Sequence, residues 1–322
     1  MSTYAIYGEI EFPVIRDRGK ITVRKFSSVK IESSWQNLTD ISMIVLPRKT
    51  KDFDRFAVGD VFQAGDPVVI RTGYNGELYA EFEGYISQVS TYVPVIITCE
   101  DEMYNLKRKS ISFSRSSCTL RELLQAVAVG YEIQCDDMTI GSVRYSNKLV
   151  TEIFDDLKNK MNLYTYFRGK TLVCGRTSID RGKYVDIIIE RQAEDSLKDK
   201  PVGQILVKVE SIQSYTGKKK TKKITAIKGE KNGNTITIKQ PNLTQQEVDK
   251  IAIEVYEKAK QPGLDGELTL FGVPRTRHGM IANISSVLYP ERNGSYYIDS
   301  VVKTIEKGRG YRQVIKLGGK AA

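Results

Sequence analysis

The chain has 322 residues, enough for two to four modest domains, and its 40% hydrophobic and 27% charged residues are those of a folded globular protein. No apolar run nears the roughly 18 residues of a membrane span, and Met1 to Phe12 lacks the basic-then-apolar order of a signal peptide. A net charge of +10 leaves room for an acidic partner, while Cys99, Cys118, Cys135 and Cys174 lack CxxC spacing and argue against a zinc site or a disulfide framework.

Residues 1 to 112 read as strands. Tyr4 to Phe12 is a first strand, Ile21 to Ile31 alternates as a second, and Ile41 to Leu46 is a third, stopped by Pro47. Lys51 to Phe62 is irregular and charged. Asp66-Pro67 then turns into Val68-Val69-Ile70, and Tyr74-Asn75-Gly76 makes a tight turn into Phe82 to Val89. Trp35 is expected to be buried in this first module, with an interface anchor as the other reading.

Residues 113 to 180 change period. Thr119 and Glu122 form a capping box before Leu120, Leu123, Leu124 and Val127, with Gly130 as the stop. A second helix is predicted over Asn147 to Met161, followed by a hairpin through Arg168-Gly169-Lys170. Asp155 and Asp156 fall on the polar side of that helix.

From 181 to 322 strands return. Tyr184 to Ile189, Ile205 to Val209, Ile224 to Ile227 and Thr235 to Ile238 read as a meander, with Asn232-Gly233 as a turn. A helix at about 244–260, capped by Thr244 and Glu247 and ended by Pro262-Gly263, interrupts them. Glu267 to Phe271, Met280 to Val287, Tyr296 to Thr304 and Tyr311 to Leu317 complete the chain.

Asn293-Gly294 is followed by Tyr297-Ile298-x-x-Val301, as Asn75-Gly76 is followed by Tyr85-Ile86-x-x-Val89. Two readings stand open, a duplicated β module or two hairpins that converged. The fold class is therefore α+β and β-rich, with two small β-barrel-like modules (1–112 and 181–322) and an inserted α/β domain (113–180).

Candidate sites are few. Lys218, Lys219, Lys220, Lys222 and Lys223 crowd one hairpin tip, with no arginine and no aromatic residue among them. A solvated tip, an acidic protein surface and a phosphate contact are all compatible with it, while base readout is not signalled. If the tip meets a protein or lines a channel, replacing all five with serine should weaken docking to that neighbour or alter the channel field, and leave the fold intact. His278, the one histidine, sits in a loop with no nucleophile at a meaningful spacing and reads as a surface or turn residue. Glu100-Asp101-Glu102 and Asp155-Asp156 are adjacent in sequence and so diverge, unlike the facing carboxylates of a glycosidase. No catalytic, metal or cofactor residue is assigned, and no phosphate-binding loop is present.

The motifs Gly65-Asp66-Pro67-Val68-Val69-Ile70, Phe82-x-Gly84-Tyr85-Ile86-x-x-Val89 and Cys99-Glu100-Asp101-x-Met103-Tyr104-x-Leu106 resemble the baseplate hub family of contractile-tail phages. So do Gly294-Ser295-Tyr296-Tyr297-Ile298-x-x-Val301 and Ile315-x-Leu317-Gly318. That family includes the late control gene D proteins and the N-terminal part of type VI secretion spike proteins. The resemblance implies a non-enzymatic homotrimer whose paired modules make a pseudo-sixfold ring. Such a ring takes a tail tube on one side and a trimeric spike on the other, around a channel that DNA could cross. It implies a virion or injection-system baseplate, assembled in the bacterial cytoplasm, with no membrane anchor and no cofactor. The chain ends at Ala322 without an appended spike or lysozyme domain, so the tip is expected on a separate polypeptide. The alternative from charge alone is a basic nucleic-acid-binding β-barrel protein, whose DNA binding would be steeply salt-dependent.

Overall fold

Apolar residues recurring at every second position make most of this chain strand, because each strand then turns one face to a core. The computed structural model describes residues 5–47, 58–90, 92, 94–176, 183–200, 203–214, 221–306 and 308–321. A first unit comprises β1 (Ile6–Phe12), β2 (Ile21–Val23), β3 (Ser28–Ser34), β4 (Ile41–Leu46), the short helix α1 (Val58–Val61), β5 (Pro67–Tyr74), β6 (Glu77–Ser90) and β7 (Val95–Glu100). Its strands stand in the order β3-β4-β7-β6-β5-β1-β2 around Ile10, Phe12, Ile44, Ile70 and Ile97. The single strand expected over Ile21 to Ile31 is thus two, which lie at opposite ends of this order.

The insert contains α2 (Met103–Leu106), β8 (Ser110–Thr119), α3 (Leu120–Val127), β9 (Glu132–Cys135), β10 (Thr139–Leu149), α4 (Val150–Met161), β11 (Tyr164–Arg168) and β12 (Thr171–Gly175). Its own core gathers Leu106, Leu123, Leu124, Ile153, Phe154 and Leu172. The α3 capping box is present: Glu122 N donates to Thr119 Oγ1 at 3.2 Å and Thr119 N to Glu122 Oε2 at 2.7 Å. The helix expected from Asn147 starts only at Val150. Asn147 to Leu149 instead prolong β10 against β8, with Leu149 extended and its N–H donated to Glu152 Oε2 at 3.2 Å.

A second unit follows: β13 (Tyr184–Ile188), β14 (Glu194–Asp195) and β15 (Lys198–Asp199), then β16 (Ile205–Ser214), β17 (Thr221–Gly229), β18 (Asn234–Lys239) and α5 (Gln245–Lys260). It closes with β19 (Leu264–Asp265), β20 (Glu267–Phe271), β21 (Ile281–Ser285), β22 (Gly294–Glu306) and β23 (Gly310–Lys320). Strands β16 to β18 and α5 enclose a separate core of Val207, Val209, Ile238, Val248 and Ala252. They do not form the expected meander. The order is β17-β16-β18, with β18 parallel to β16, so the chain turns at Asn232-Gly233, crosses past the start of β16 and pairs on its far edge. Gly233 serves that crossing, since a Cβ there would lie 2.4 Å from Ile205 N.

The two units are copies of one strand plan. The order β4-β7-β6-β5 recurs as β20-β23-β22-β21. Pairing Pro67↔Tyr85 matches Ile281↔Tyr297, and Ile44↔Ile97 matches Leu268↔Ile315. Ile86 N donates to Asp66 O at 2.8 Å and Gly65 N to Ile86 O at 2.7 Å; Ile298 N donates to Met280 O at 2.9 Å and Gly279 N to Ile298 O at 2.8 Å. Gly65 (φ 93°) and Gly279 (φ 86°) share the left-handed conformation. One step later each ladder bulges. Ser87 is extra between Ile86↔Cys99 and Gln88↔Thr98, and Asp299 between Ile298↔Leu317 and Ser300↔Lys316.

The correspondence runs further outward. Val29↔Ile44 matches Asp195↔Leu268, and Glu32↔Ile41 matches Lys198↔Asp265, so β14 and β15 together stand for β3. Strand β13 takes beside β21 the place that β1 takes beside β5, but runs parallel where β1 is antiparallel. The β16–β18 and α5 segment fills the place of the short turn between β3 and β4. A ladder between β22 and β3 fuses the units into one 13-stranded sheet. The fold is strand-rich α+β, and the barrel-like modules are curled halves of a continuous sheet; among the described residues no ladder closes either one.

Candidate assembly interface

At the joint between the units, polar and aromatic side chains from both meet. Past its bulge, β22 lays Ser300 to Glu306 along β3, from Ser300↔Ser34 to Glu306↔Ser28. The tip of the β5–β6 hairpin reaches across beside it. Tyr74 stacks on Tyr311 with ring centroids 6.2 Å apart, and its hydroxyl accepts Gly272 N–H at 3.0 Å. A Cβ on Gly272 would meet the Tyr311 ring at 2.1 Å, so that residue must be glycine. Glu81 receives Arg275 Nε at 2.6 Å and also pairs with Lys303, with side chains only 2% and 10% exposed for Glu81 and Lys303. Burial pushes the Lys303 pKa down, and Glu81 opposes that shift. Arg275 lies over Tyr79 at 4.4 Å.

Trp35 sits at a three-way corner and not in the first core where it was expected. Its Nε1 donates to Asp299 Oδ1 at 2.9 Å, and its ring meets Tyr164 edge-on at 4.9 Å, joining both units to the insert. Nearby, Asp40 accepts Ser33 Oγ at 2.6 Å and Ser34 N at 3.2 Å, while its own N–H donates to Asp101 Oδ2 at 3.1 Å. Burial raises Asp40 to about 6, against the pull of these hydrogen bonds and of Lys303. Burial, together with the Asp40 charge, raises Asp101 well above the usual carboxylate range.

Ser33, Asp40, Glu81, Asp101 and Lys303 line a cleft of about 480 Å³ with Arg275 and His278. His278 lies in a turn, one of the two roles expected, but is buried and not at the surface, with its ring edge-on to Tyr166 at 5.1 Å. Glu100 turns instead to Lys107, and Glu102 to the Tyr131 hydroxyl at 2.9 Å, so the three adjacent acids diverge. Asp156 is held by Lys148 (2.6 Å) and Lys160 (3.0 Å). Among the described residues no group of His, Cys, Asp and Glu is placed to hold a metal.

Of the basic cluster, Lys218, Lys219 and Lys220 lie outside the described residues. Lys222 and Lys223 are exposed on β17. Lys223 and Lys208 both reach Glu210, at 3.0 and 2.7 Å, and hold its carboxyl down at about 2. Asn75 (φ 54°) and Gly76 (φ 90°) form the two-residue link from β5 to β6.

Asn293-Gly294 is not such a turn. Asn293 is extended, and its side chain accepts Ser286 N–H at 2.6 Å, closing a longer connection between β21 and β22. The strand expected to run to Val287 ends at Ser285. Glu190 Oε1 accepts Ser286 Oγ (2.5 Å), Val287 N (2.9 Å) and Leu288 N (3.1 Å), which lowers its pKa to about 2. The fixed connection shows Val287, Leu288 and Tyr289 to solvent, at 84%, 71% and 44% exposure. Sequence reading missed this loop, because its apolar run passes for the end of a strand.

No protein-family model and no curated protein matches the sequence. Solved structures do. The 43 kDa tail protein of prophage MuSo2 from Shewanella oneidensis superposes with a TM-score of 0.65 at 14% identity, over 97% of this chain and 98% of that one. The fold is that of phage tail proteins. The tail protein from Neisseria meningitidis MC58 gives a TM-score of 0.66 at 11% identity, over 98% and 97% of the two chains. The Francisella PdpA-VgrG complex gives 0.57 at 10% identity, over 98% of this chain and 58% of that chain. The baseplate resemblance read from the motifs is thus met at the level of fold.

Proposed function

We propose that this chain is a structural component of a phage-tail baseplate or a related injection machine, acting as a hub ring and not as an enzyme. The observation that supports the ring is the duplicated strand unit. Two like units fused edge to edge give three copies six near-equivalent surfaces, which suits a protein standing between a sixfold tube and a threefold spike. Tail tube and spike are its proposed partners, and the Lys218 to Lys223 hairpin is a proposed contact with one of them or with the channel. The tail-protein fold supports the setting, and the Francisella complex with VgrG supports the spike side. Cohesion would come from apolar burial and sheet edges paired between subunits.

Light scattering across a concentration series tests this. The expected mass is three times the chain's 36.4 kDa. A stable dimer, or a chain that stays single even with its spike partner present, would contradict it.

A further inference from the structure

The two units are equivalent, but what covers them differs. In the first unit the outer edge of β3 is covered by β22, and Tyr74, at the foot of the β5–β6 tip, packs on Tyr311 and Gly272 while Asn75 and Gly76 stay exposed. Their counterparts in the second unit are bare. Strands β14 and β15, which stand for β3, have no strand on their outer side among the described residues, and their four residues are exposed. The β21–β22 connection, which stands for the β5–β6 tip, displays Val287, Leu288 and Tyr289. These features share one face, since Arg292 of the connection pairs with Asp195 of β14 at 3.0 Å.

The matching acceptor in the first unit is bare as well. On one edge β22 carries β21 up to Tyr297 and β3 from Ser300 onward. On the same edge β6 carries β5 up to Tyr85, and from Gln88 to Ser90 no strand lies there among the described residues. Tyr92, just beyond, is 82% exposed.

We infer that a second copy of this chain docks here head to tail, its β6 edge at Gln88 to Ser90 adding to β15 while the Val287 to Tyr289 loop packs on its first unit. This rests on the ring reading above. Carrying the internal register across sets Gln88 opposite Lys200, Val89 opposite Asp199 and Ser90 opposite Lys198 of the neighbour. Charge on the bare edge is no bar, because β3 carries Lys30 and Glu32 while fully paired. On a lone chain that charge guards against indiscriminate pairing. A loop already fixed by Glu190 loses little freedom on docking, and three apolar side chains supply the drive. The contact is heterologous, so copies form a closed ring when its rotation permits.

Disulfide trapping on the full chain tests the face. Ser90→Cys and Lys198→Cys are made separately, mixed and mildly oxidised, with unmodified chain as the control for the part-buried Cys135. Cross-strand neighbours stand within disulfide reach, so the mixture should give about tenfold more two-chain product than Ser90→Cys mixed with Lys228→Cys. Adding Leu288→Asp, at an exposed position that leaves folding intact, should cut the product about tenfold. Equal yields in the two mixtures would overturn the inference. A trimer without the selective cross-link overturns this face and leaves the ring. A selective cross-link in assemblies that grow without closing overturns the ring and leaves this face.

Discussion

At the scale of single residues, Glu81 holds the joint through two cations. Glu81→Gln would remove the ion-pair partner of the buried Lys303, a change that costs about 3–5 kcal/mol in comparable sites. Urea unfolding should show that loss, and a loss under about 1 kcal/mol would contradict the burial of the pair. Asp40 gives the pH dependence. Its folded pKa, about 6, lies above the unfolded value, so the folded state holds the proton more tightly. The stability it contributes is present below about pH 4 and lost as pH rises through 6. In Asp40→Asn the Ser33 hydroxyl can turn to accept the amide, and the decline between pH 4 and 6 should flatten relative to the unmodified chain. Parallel urea midpoints for the two proteins over that range would contradict this.

At the scale of elements, the shared glycine before each hairpin fixes where β6 and β22 meet their partners. Gly65→Ala must hold a Cβ at φ 93° and should cost about 1–2 kcal/mol, with the hydrogen bonds to Ile86 retained. A neutral change in thermal unfolding would mean that the turn relaxes freely. Helices were legible because their signals are local. Thr119 with Glu122, and Thr244 with Glu247, each closed a capping box where the spacing placed one. Thr244→Ala should accordingly cost about 1 kcal/mol, read as a lower urea midpoint. What sequence could not show was set by neighbours distant in the chain. Leu149 fits a helical face by spacing, yet β8 pulls it into a strand, and the turn at Asn232-Gly233 leads across to the far edge of β16 and not into a hairpin. The Asn293-Gly294 dipeptide matched Asn75-Gly76 in letters only, because the Asn293 side chain is spent on Ser286.

At the scale of the whole molecule, the Tyr-Ile-x-x-Val likeness was a better guide than the turns that preceded it. It falls on Ile86 and Ile298, the residues from which both bulges are counted, so register preserved what composition had blurred. The joint could not be read ahead, because Glu81, Arg275 and Lys303 meet only after the two units pair. The bare β14–β15 edge and the Val287 to Tyr289 loop acquire a role only when that joint is seen to have an empty counterpart. In the proposed ring, one chain supplies two interchangeable positions. Electron-microscopy averages of the assembled protein measure this directly. A threefold ring with six near-equivalent β lobes around an open centre is the predicted result, and a ring of three lobes, or a closed twofold dimer, would contradict it.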